Sequence, residues 1–89
     1  MKAMDIRIDG RVQGVSFRAW AQQEAQSLGL RGWIRNHPDM SVVAYIEGDD
    51  EAVDKMLDRM NSGPPAARVN RVRTAPAEPI GMEDFEIRA

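Results

Sequence analysis

The segment GRVQGVSFRAW, residues 10–20, joins a strand pattern to a helix pattern. Before it, apolar residues alternate with charged ones, and this period of two predicts a strand over about residues 3–10. After it, apolar residues recur three and four positions apart from Ser16 to Leu28, which predicts an amphipathic helix with Gly29 at its end. A strand that passes into a helix through two glycines is therefore the first unit of the fold.

The middle of the chain predicts a hairpin and a second helix. RGWIRN and SVVAYIEG are short and rich in β-branched and aromatic residues, so we expect paired strands at about residues 31–36 and 41–47. Three acidic residues, 49–51, then precede an apolar stripe with helical spacing that ends before NSGPP. The stripe consists of Val53, Met56, Leu57 and Met60.

The last third of the chain predicts two more strands. Residues 68–74 form a strand pattern in which Val69 and Val72 break the period of two, so we expect a bulge or an edge position there. After APAEPIG, Phe85 and Ile87 alternate with charged residues and predict a short final strand. The order is therefore strand, helix, strand, strand, helix, strand, followed by that short strand.

This order is typical of the α+β class, and specifically of a ferredoxin-like split βαβ sandwich (βαββαβ). We expect an antiparallel-rich sheet, two helices on one of its faces and a short extra C-terminal strand. A length of 89 residues suits a single domain over residues 1–89.

The composition narrows the classes of function. The chain has 12 basic and 14 acidic residues, a net charge of −2, so no overall field attracts nucleic acid or anionic lipid. It has no cysteine, which excludes disulfides, thiolate chemistry and cysteine-ligated metals. No apolar run is long enough to cross a membrane, and MKAMDIRIDG does not resemble a signal peptide. We therefore expect a soluble, cytoplasmic monomer without a nucleic-acid or membrane partner.

The loop in GRVQGVSFRAW has the composition of an anion-binding site. Gly10 and Gly14 allow a tight turn and the close approach of a ligand to backbone N–H groups, and the following helix adds the positive end of its dipole. Arg18, in the first turn of that helix, can donate two parallel hydrogen bonds to an oxyanion. The pattern is neither a P-loop nor a dinucleotide-binding motif, and glycines in such loops are often purely structural.

Two motifs together resemble the acylphosphatase family. GRVQGVSFR fits the family signature GxVQGVxFR, and GWIRN fits the signature G[WF][VI]xN, in the same order and at similar spacing. SVVAYIEG, RVNRVR and FEIR extend the resemblance over nearly the whole chain. The resemblance implies a small enzyme that hydrolyses the carboxyl–phosphate bond of acyl phosphates with neither a metal nor an organic cofactor.

The resemblance also implies roles for individual residues. The arginine that closes the first motif, Arg18, would bind the phosphate, and the asparagine that closes the second, Asn36, would orient the attacking water. The backbone around the pivot Gly14 would cradle the phosphate. The implied phosphate-binding set is Gln13, Gly14, Val15, Ser16, Phe17 and Arg18.

Three residues depart from the family pattern. Ser16 stands where glycine is frequent, and we expect that position to be permissive. Met40 replaces the glycine usual in the hairpin turn, so we expect lower stability there because methionine tolerates a positive φ poorly. Val43 replaces a common glutamate, which predicts an apolar patch beside Tyr45.

The alternative function is a non-catalytic ferredoxin-like module that binds an anion or a protein. Capture of an anion needs Arg18 and the loop but no amide that directs water. The presence of Asn36 therefore favours an enzyme over a binding module. An RNA-binding domain is a third reading, suggested by Arg68, Arg71 and Arg73. The aromatic RNA-binding signature is missing, however, and a solvated strand face is the preferred interpretation.

Three other features are interpreted as structural. His37 lies in a proline-containing turn and is expected to be an exposed, non-catalytic histidine. Residues 49–51 are expected to complement a helix dipole rather than bind a cation, so no metal site is predicted. Trp20 and Trp33 are interpreted as packing residues.

Overall fold

Five strands and two helices follow one another in the computed structural model, which describes all residues 1–89. The order confirms the predicted βαββαβ arrangement with a short strand after it. The elements are β1 (Lys2–Arg11), α1 (Phe17–Ser27), β2 (Arg31–Asn36), β3 (Val42–Gly48), α2 (Asp50–Ser62), β4 (Arg68–Ala77) and β5 (Phe85–Arg88).

The strands form one sheet in the order β4-β1-β3-β2-β5. All neighbouring pairs are antiparallel except β2 and β5, which run parallel at one edge. The antiparallel-rich ferredoxin-like sheet is therefore confirmed, and the extra C-terminal strand extends it beside β2. No helix is long and apolar enough to cross a membrane.

The core lies between one face of the sheet and the two helices. Alternate strand residues point into it, and both helices contribute their apolar stripes, as the periodicities predicted. The strands supply Ile6, Ile8, Ile34, Ala44 and Ile46, and the helices supply Phe17, Ala21, Ala25, Val53, Met56 and Met60.

The opposite face of the sheet carries no helix. Trp33 lies on this open face and is only half-buried, so its interpretation as a packing residue is wrong. Trp20, in contrast, packs against the core and contacts Phe17 edge to face, with ring centroids 5.3 Å apart. Val43 lies on the same face as Tyr45 and Trp33, which is consistent with the apolar patch expected beside Tyr45, and its neighbours across the strands, Arg7 and Arg35, flank that patch.

The predicted irregularity in β4 is a bulge. Asp9 pairs with Arg71 and Gly10 pairs with Val69, so one extra residue, Asn70, has no partner in β1. The bulge turns both Val69 and Val72 toward the core, against which they pack. Gly10 has a φ of 133°, and a Cβ there would collide with the Arg68 carbonyl, so this position requires glycine.

β4 is longer than the sequence pattern predicts. It continues past Thr74 to Ala77, pairing with β1 as far as Ala3. The segment contains Pro76, which we expected to belong to a loop. β4 is an edge strand, and a proline without an N–H is accommodated at an edge.

Candidate active site

The loop between β1 and α1 has unusual backbone angles at two positions. Gly14 has a φ of 73° and Ser16 a φ of 62°, both in the left-handed region. Ser16 is thus not at a permissive position as expected: an L-residue there costs about 1–2 kcal/mol relative to glycine. Left-handed angles of this kind are typical of loops in which successive peptide N–H groups form a concave array.

The N–H groups of that array have no acceptor within the protein. No backbone N–H from Gln13 to Ser16 donates a hydrogen bond to the chain, and the first helical bond of α1 runs from Trp20 to the Ser16 carbonyl. The first N–H groups of a helix also lack intrahelical acceptors. Several donors therefore surround one concavity, an arrangement that binds oxyanions.

Arg18 lies in the first turn of α1 and is half-buried. Its Nη1 donates a hydrogen bond of 3.0 Å to the backbone carbonyl of Arg88 in β5. Although the chain has 14 acidic residues, none of them forms a salt bridge with Arg18. The guanidinium is therefore positioned by a neutral group, and its positive charge is available to an anion.

Asn36 is the last residue of β2, and its side chain is half-buried. The side-chain amide makes no hydrogen bond with any other protein group. Its backbone pairs with Val42 in β3, which holds the residue at the end of the hairpin. A fixed backbone with an unengaged amide suits a group that must hold a water molecule.

Arg18 and Asn36 line the same cavity, which has a volume of about 210 Å³. Of the predicted phosphate-binding residues, the cavity also contains Gly14, Ser16 and Phe17. Gln13 and Val15 do not line it, and Val15 packs partly against the core. The complete lining is Val12, Gly14, Ser16, Phe17, Arg18, Ala19, Asn36 and Ile87.

Three of these lining residues, Val12, Ala19 and Ile87, were not predicted as site residues. Val12 and Ala19 flank the loop in sequence, so their neighbourhood was a usable signal. Ile87 is distant in sequence and reaches the site because β5 runs parallel to β2, with Ile87 opposite Ile34. The alternation in FEIR predicted a strand but could not predict which strand it would join.

The side chain of Gln13 has partners of its own, apart from the backbone role implied for this residue. Its Nε2 donates hydrogen bonds of 2.8 Å to the carbonyls of His37 and Ser41, in the turn between β2 and β3. The side chain thus connects the loop to the hairpin that carries Asn36.

His37 lies outside the cavity that contains Arg18, in a groove on the open face of the sheet. Its Nδ1 is 3.0 Å from Oδ1 of Asp39. Hydrogen bonds from the hydroxyl and the amide of Ser41 hold the pKa of Asp39 well below its usual value, so this carboxyl stays ionised. No acidic, histidine or cysteine side chain lines the Arg18 cavity, and no group of three or more such side chains with metal-binding geometry occurs.

Comparison with known proteins gives one consistent result. Residues 4–87 match the family model described as acylphosphatase. An acylphosphatase of Thermococcus kodakarensis is 50% identical over 82 residues, which covers 92% of this chain and 90% of the relative. One from Methanocella arvoryzae is 41% identical over 88 residues, covering 99% and 100% of the two chains. The crystal structure of acylphosphatase from Bacillus subtilis superposes with a TM-score of 0.97 at 32% identity and covers both chains completely.

Proposed function

The chain belongs to the acylphosphatase family and is an enzyme acting on small acyl phosphates, and we propose that the Arg18 cavity is where it hydrolyses the carboxyl–phosphate bond. The observation that carries this proposal is that one cavity contains groups suited to bind an anion and, beside them, a group suited to bind water. Arg18 and the loop N–H groups form the anion-binding half of the site, and the unengaged amide of Asn36 forms the water-binding half.

The phosphate oxygens of the substrate accept hydrogen bonds from Arg18 and from the backbone of residues 13–17. The charge on these oxygens redistributes in the transition state, and fixed donors need no reorganisation to follow it. The left-handed angles of Gly14 and Ser16 support a cradle that exists without the substrate, because such angles direct successive N–H groups into one concavity.

Asn36 orients the attacking water in line with the leaving carboxylate. The oxygen of water forms a bond to phosphorus as the bond from phosphorus to the acyl oxygen breaks, giving a carboxylate and inorganic phosphate. A phosphate oxygen of the substrate takes the proton of the water. A carboxylate is a good leaving group, so positioning and charge stabilisation supply the acceleration without an acid or a covalent nucleophile.

This chemistry supports three further parts of the proposal. The positive charge that phosphoryl transfer needs comes from Arg18 and the N–H groups, so we propose a metal-independent reaction without an organic cofactor. The proposed chemistry needs only Arg18, Asn36 and the loop N–H groups, which one chain brings together, so we propose a functional monomer. The complete lack of cysteine fits a reducing cytoplasm, where we place the enzyme.

Hydrolysis of benzoyl phosphate in the presence of a chelator tests the proposal. Arg18→Ala should lower kcat/KM by a factor of about 100 or more, the usual loss on removing a preorganised donor. Arg11→Ala is the matched control, because Arg11 is an exposed arginine beside the same loop whose side chain forms no hydrogen bond and no ion pair. Its kcat/KM should stay within about twofold of the wild-type value.

Two results would overturn the assignment. Activity of Arg18→Ala close to that of the wild type would remove Arg18 from the site. A folded wild-type protein that binds inorganic phosphate without any turnover would favour the non-catalytic anion-binding module.

A further inference from the structure

Four arginines lie in one row across the open face of the sheet, on the side opposite the helices. Arg7 in β1 pairs with Arg73 in β4 and with Val43 in β3. Val43 in turn pairs with Arg35 in β2, and Arg35 with Arg88 in β5. Paired residues on neighbouring strands point to the same face, so a positive row crosses all five strands with one valine at its centre.

Three of the four arginines are each paired with one carboxylate: Arg7 with Asp39, Arg73 with Asp9 and Arg88 with Glu86. Arg35 forms no ion pair and no side-chain hydrogen bond, so it is the one arginine of the row whose charge is not neutralised. Arg7 uses only Nη1 for its bonds to Asp39 and Ser41, so its Nε and Nη2 have no protein acceptor. Beside Val43, the free donors are therefore all those of Arg35 and the remaining two nitrogens of Arg7.

A groove of about 380 Å³ lies over this centre. Arg7, Arg35, Val43 and Trp33 are among the residues that line it, together with one carboxylate, Asp5. The guanidinium carbons of Arg35 and Arg88 are 5.8 Å and 5.3 Å from the centroid of the Trp33 ring, so both arginines lie against this ring. The groove is separate from the catalytic cavity: Arg35 and Asn36 are consecutive in β2 and point to opposite faces of the sheet.

We propose that this groove is a second ligand site, which binds a small aromatic phosphate of the nucleoside-monophosphate type. Arg7 and Arg35 stand on either side of Val43, two strand spacings or about 10 Å apart at their Cα atoms, so both long side chains can reach one anion above it. A phosphate monoester has three terminal oxygens and can accept from two guanidinium groups at once, whereas a carboxylate is matched by one.

The remaining space and chemistry of the groove define the rest of the ligand. Its volume exceeds what a single phosphate group requires and lies in the range of small-molecule sites. Val43 and the half-buried Trp33 provide apolar surface beside the arginines. A flat ring stacks on such aromatic and guanidinium surfaces, so the ligand has an aromatic group attached to its phosphate.

The test is a titration of the protein with AMP. Binding is measured by calorimetry and by the NMR signals of the two tryptophan indoles. We use the Arg18→Ala background, in which the catalytic cavity has lost its principal anion ligand. AMP should bind with a Kd of about 1 mM or below and shift the indole signal of Trp33 but not that of Trp20. Adenosine and inorganic phosphate, each tested alone, should bind at least about tenfold more weakly, because each lacks half of the ligand. Phenyl phosphate should bind more tightly than inorganic phosphate, because its ring adds apolar contact in the groove.

Substitutions of Val43, at the centre of the row, distinguish the effect of charge on AMP binding from the effect of side-chain shape. Val43→Glu places a carboxylate between Arg7 and Arg35 and should weaken AMP binding at least about tenfold. Val43→Gln has nearly the same size without the charge and should stay within about threefold of the parent. Gln23→Glu makes the same change of net charge on exposed α1 and should have no effect. In the wild-type background, all three variants should keep full turnover of benzoyl phosphate, which shows that they fold.

Three outcomes would overturn the proposal. The first is the absence of a saturable response to AMP up to about 10 mM. The second is binding by the wild type that disappears in Arg18→Ala but survives Val43→Glu, because the ligand then occupies the catalytic cavity. The third is equal weakening by Val43→Glu and Gln23→Glu, which would indicate only a response to net charge.

Discussion

Nε2 of Gln13 lies 2.8 Å from the carbonyl oxygen of Ser41, and this hydrogen bond joins the phosphate loop to the turn between β2 and β3. The same amide donates a second bond of 2.8 Å to the carbonyl of His37, the residue that follows Asn36. The two halves of the proposed site lie on separate elements, and Gln13 is the side chain that connects them. We therefore expect its side chain to control their relative position without itself contacting the substrate.

Replacement of Gln13 by glutamate removes both bonds, because a carboxylate cannot donate to two carbonyls. We expect Gln13→Glu to lower the free energy of unfolding by about 1–3 kcal/mol and kcat/KM by about tenfold. Urea unfolding and the benzoyl phosphate assay measure the two effects. Gln26→Glu, the same change at an exposed position of α1, should alter neither. Unchanged kcat/KM in Gln13→Glu would show that the loop and the hairpin keep their geometry without this connection.

Removal of the Asn36 amide should affect the reaction step rather than phosphate binding. We expect Asn36→Ala to lower kcat by about 100-fold while the inhibition constant of inorganic phosphate stays within about twofold of that of the wild type. The control is Asn70→Ala, at the exposed bulge of β4. Equal losses in kcat and in phosphate affinity would contradict the assignment of Asn36 to the water.

The sequence predicted the parts of the fold that depend on local periodicity. The alternation in β1 and the three- and four-residue spacing in α1 gave these elements to within about two residues at each end. The broken period at Val69 and Val72 also located the bulge. The candidate site residues Arg18 and Asn36 were predicted from motifs, and the structure brings them into one cavity because the β1–α1 loop lies against the end of β2.

Features that depend on the register between strands could not be predicted from local sequence patterns. The arginine row requires four strand pairings to be known at once, and Arg7 and Arg88 are 81 positions apart in the sequence. Trp33 was expected to pack because of its size, but its strand position turns it to the open face. The left-handed angle of Ser16 was also missed, since serine gives no local signal for it.

Met40 has a φ of 77° in the β2–β3 turn, so the turn keeps the geometry that glycine would adopt. Its side chain is 63% exposed and contributes little packing that would compensate for the strain. We expect Met40→Gly to raise the free energy of unfolding by about 0.5–1 kcal/mol and Tm by about 3–5 °C. Met40→Ala keeps the strained Cβ and should give no gain. Thermal unfolding followed by circular dichroism distinguishes the two, and equal Tm values for both variants would show that the turn is not strained.

The buried Glu47 carboxylate anchors the segment between β4 and β5. It accepts hydrogen bonds from the hydroxyl of Tyr45 and from the amides of Ile80, Gly81 and Met82. Burial alone raises the pKa of Glu47, but these hydrogen bonds to the ionised form outweigh it, so the pKa lies below its usual value. The carboxylate is therefore charged in the folded enzyme at neutral pH.

A carboxyl whose pKa is lowered by folding stabilises the protein above the pKa of its unfolded form, near 4.5 for glutamate. That contribution is lost as the pH falls through the lower pKa of the folded state. At pH 7, Glu47→Gln should reduce the free energy of unfolding by about 2 kcal/mol, because the neutral amide is a weaker acceptor and directs an N–H toward other donors. At pH 3 the difference from the wild type should be clearly smaller. Urea unfolding at both pH values measures it, with Glu83→Gln, at an exposed position outside the helices, as the control. A difference that stays constant between pH 7 and pH 3 would show that the loss comes from packing and not from the charged hydrogen bonds.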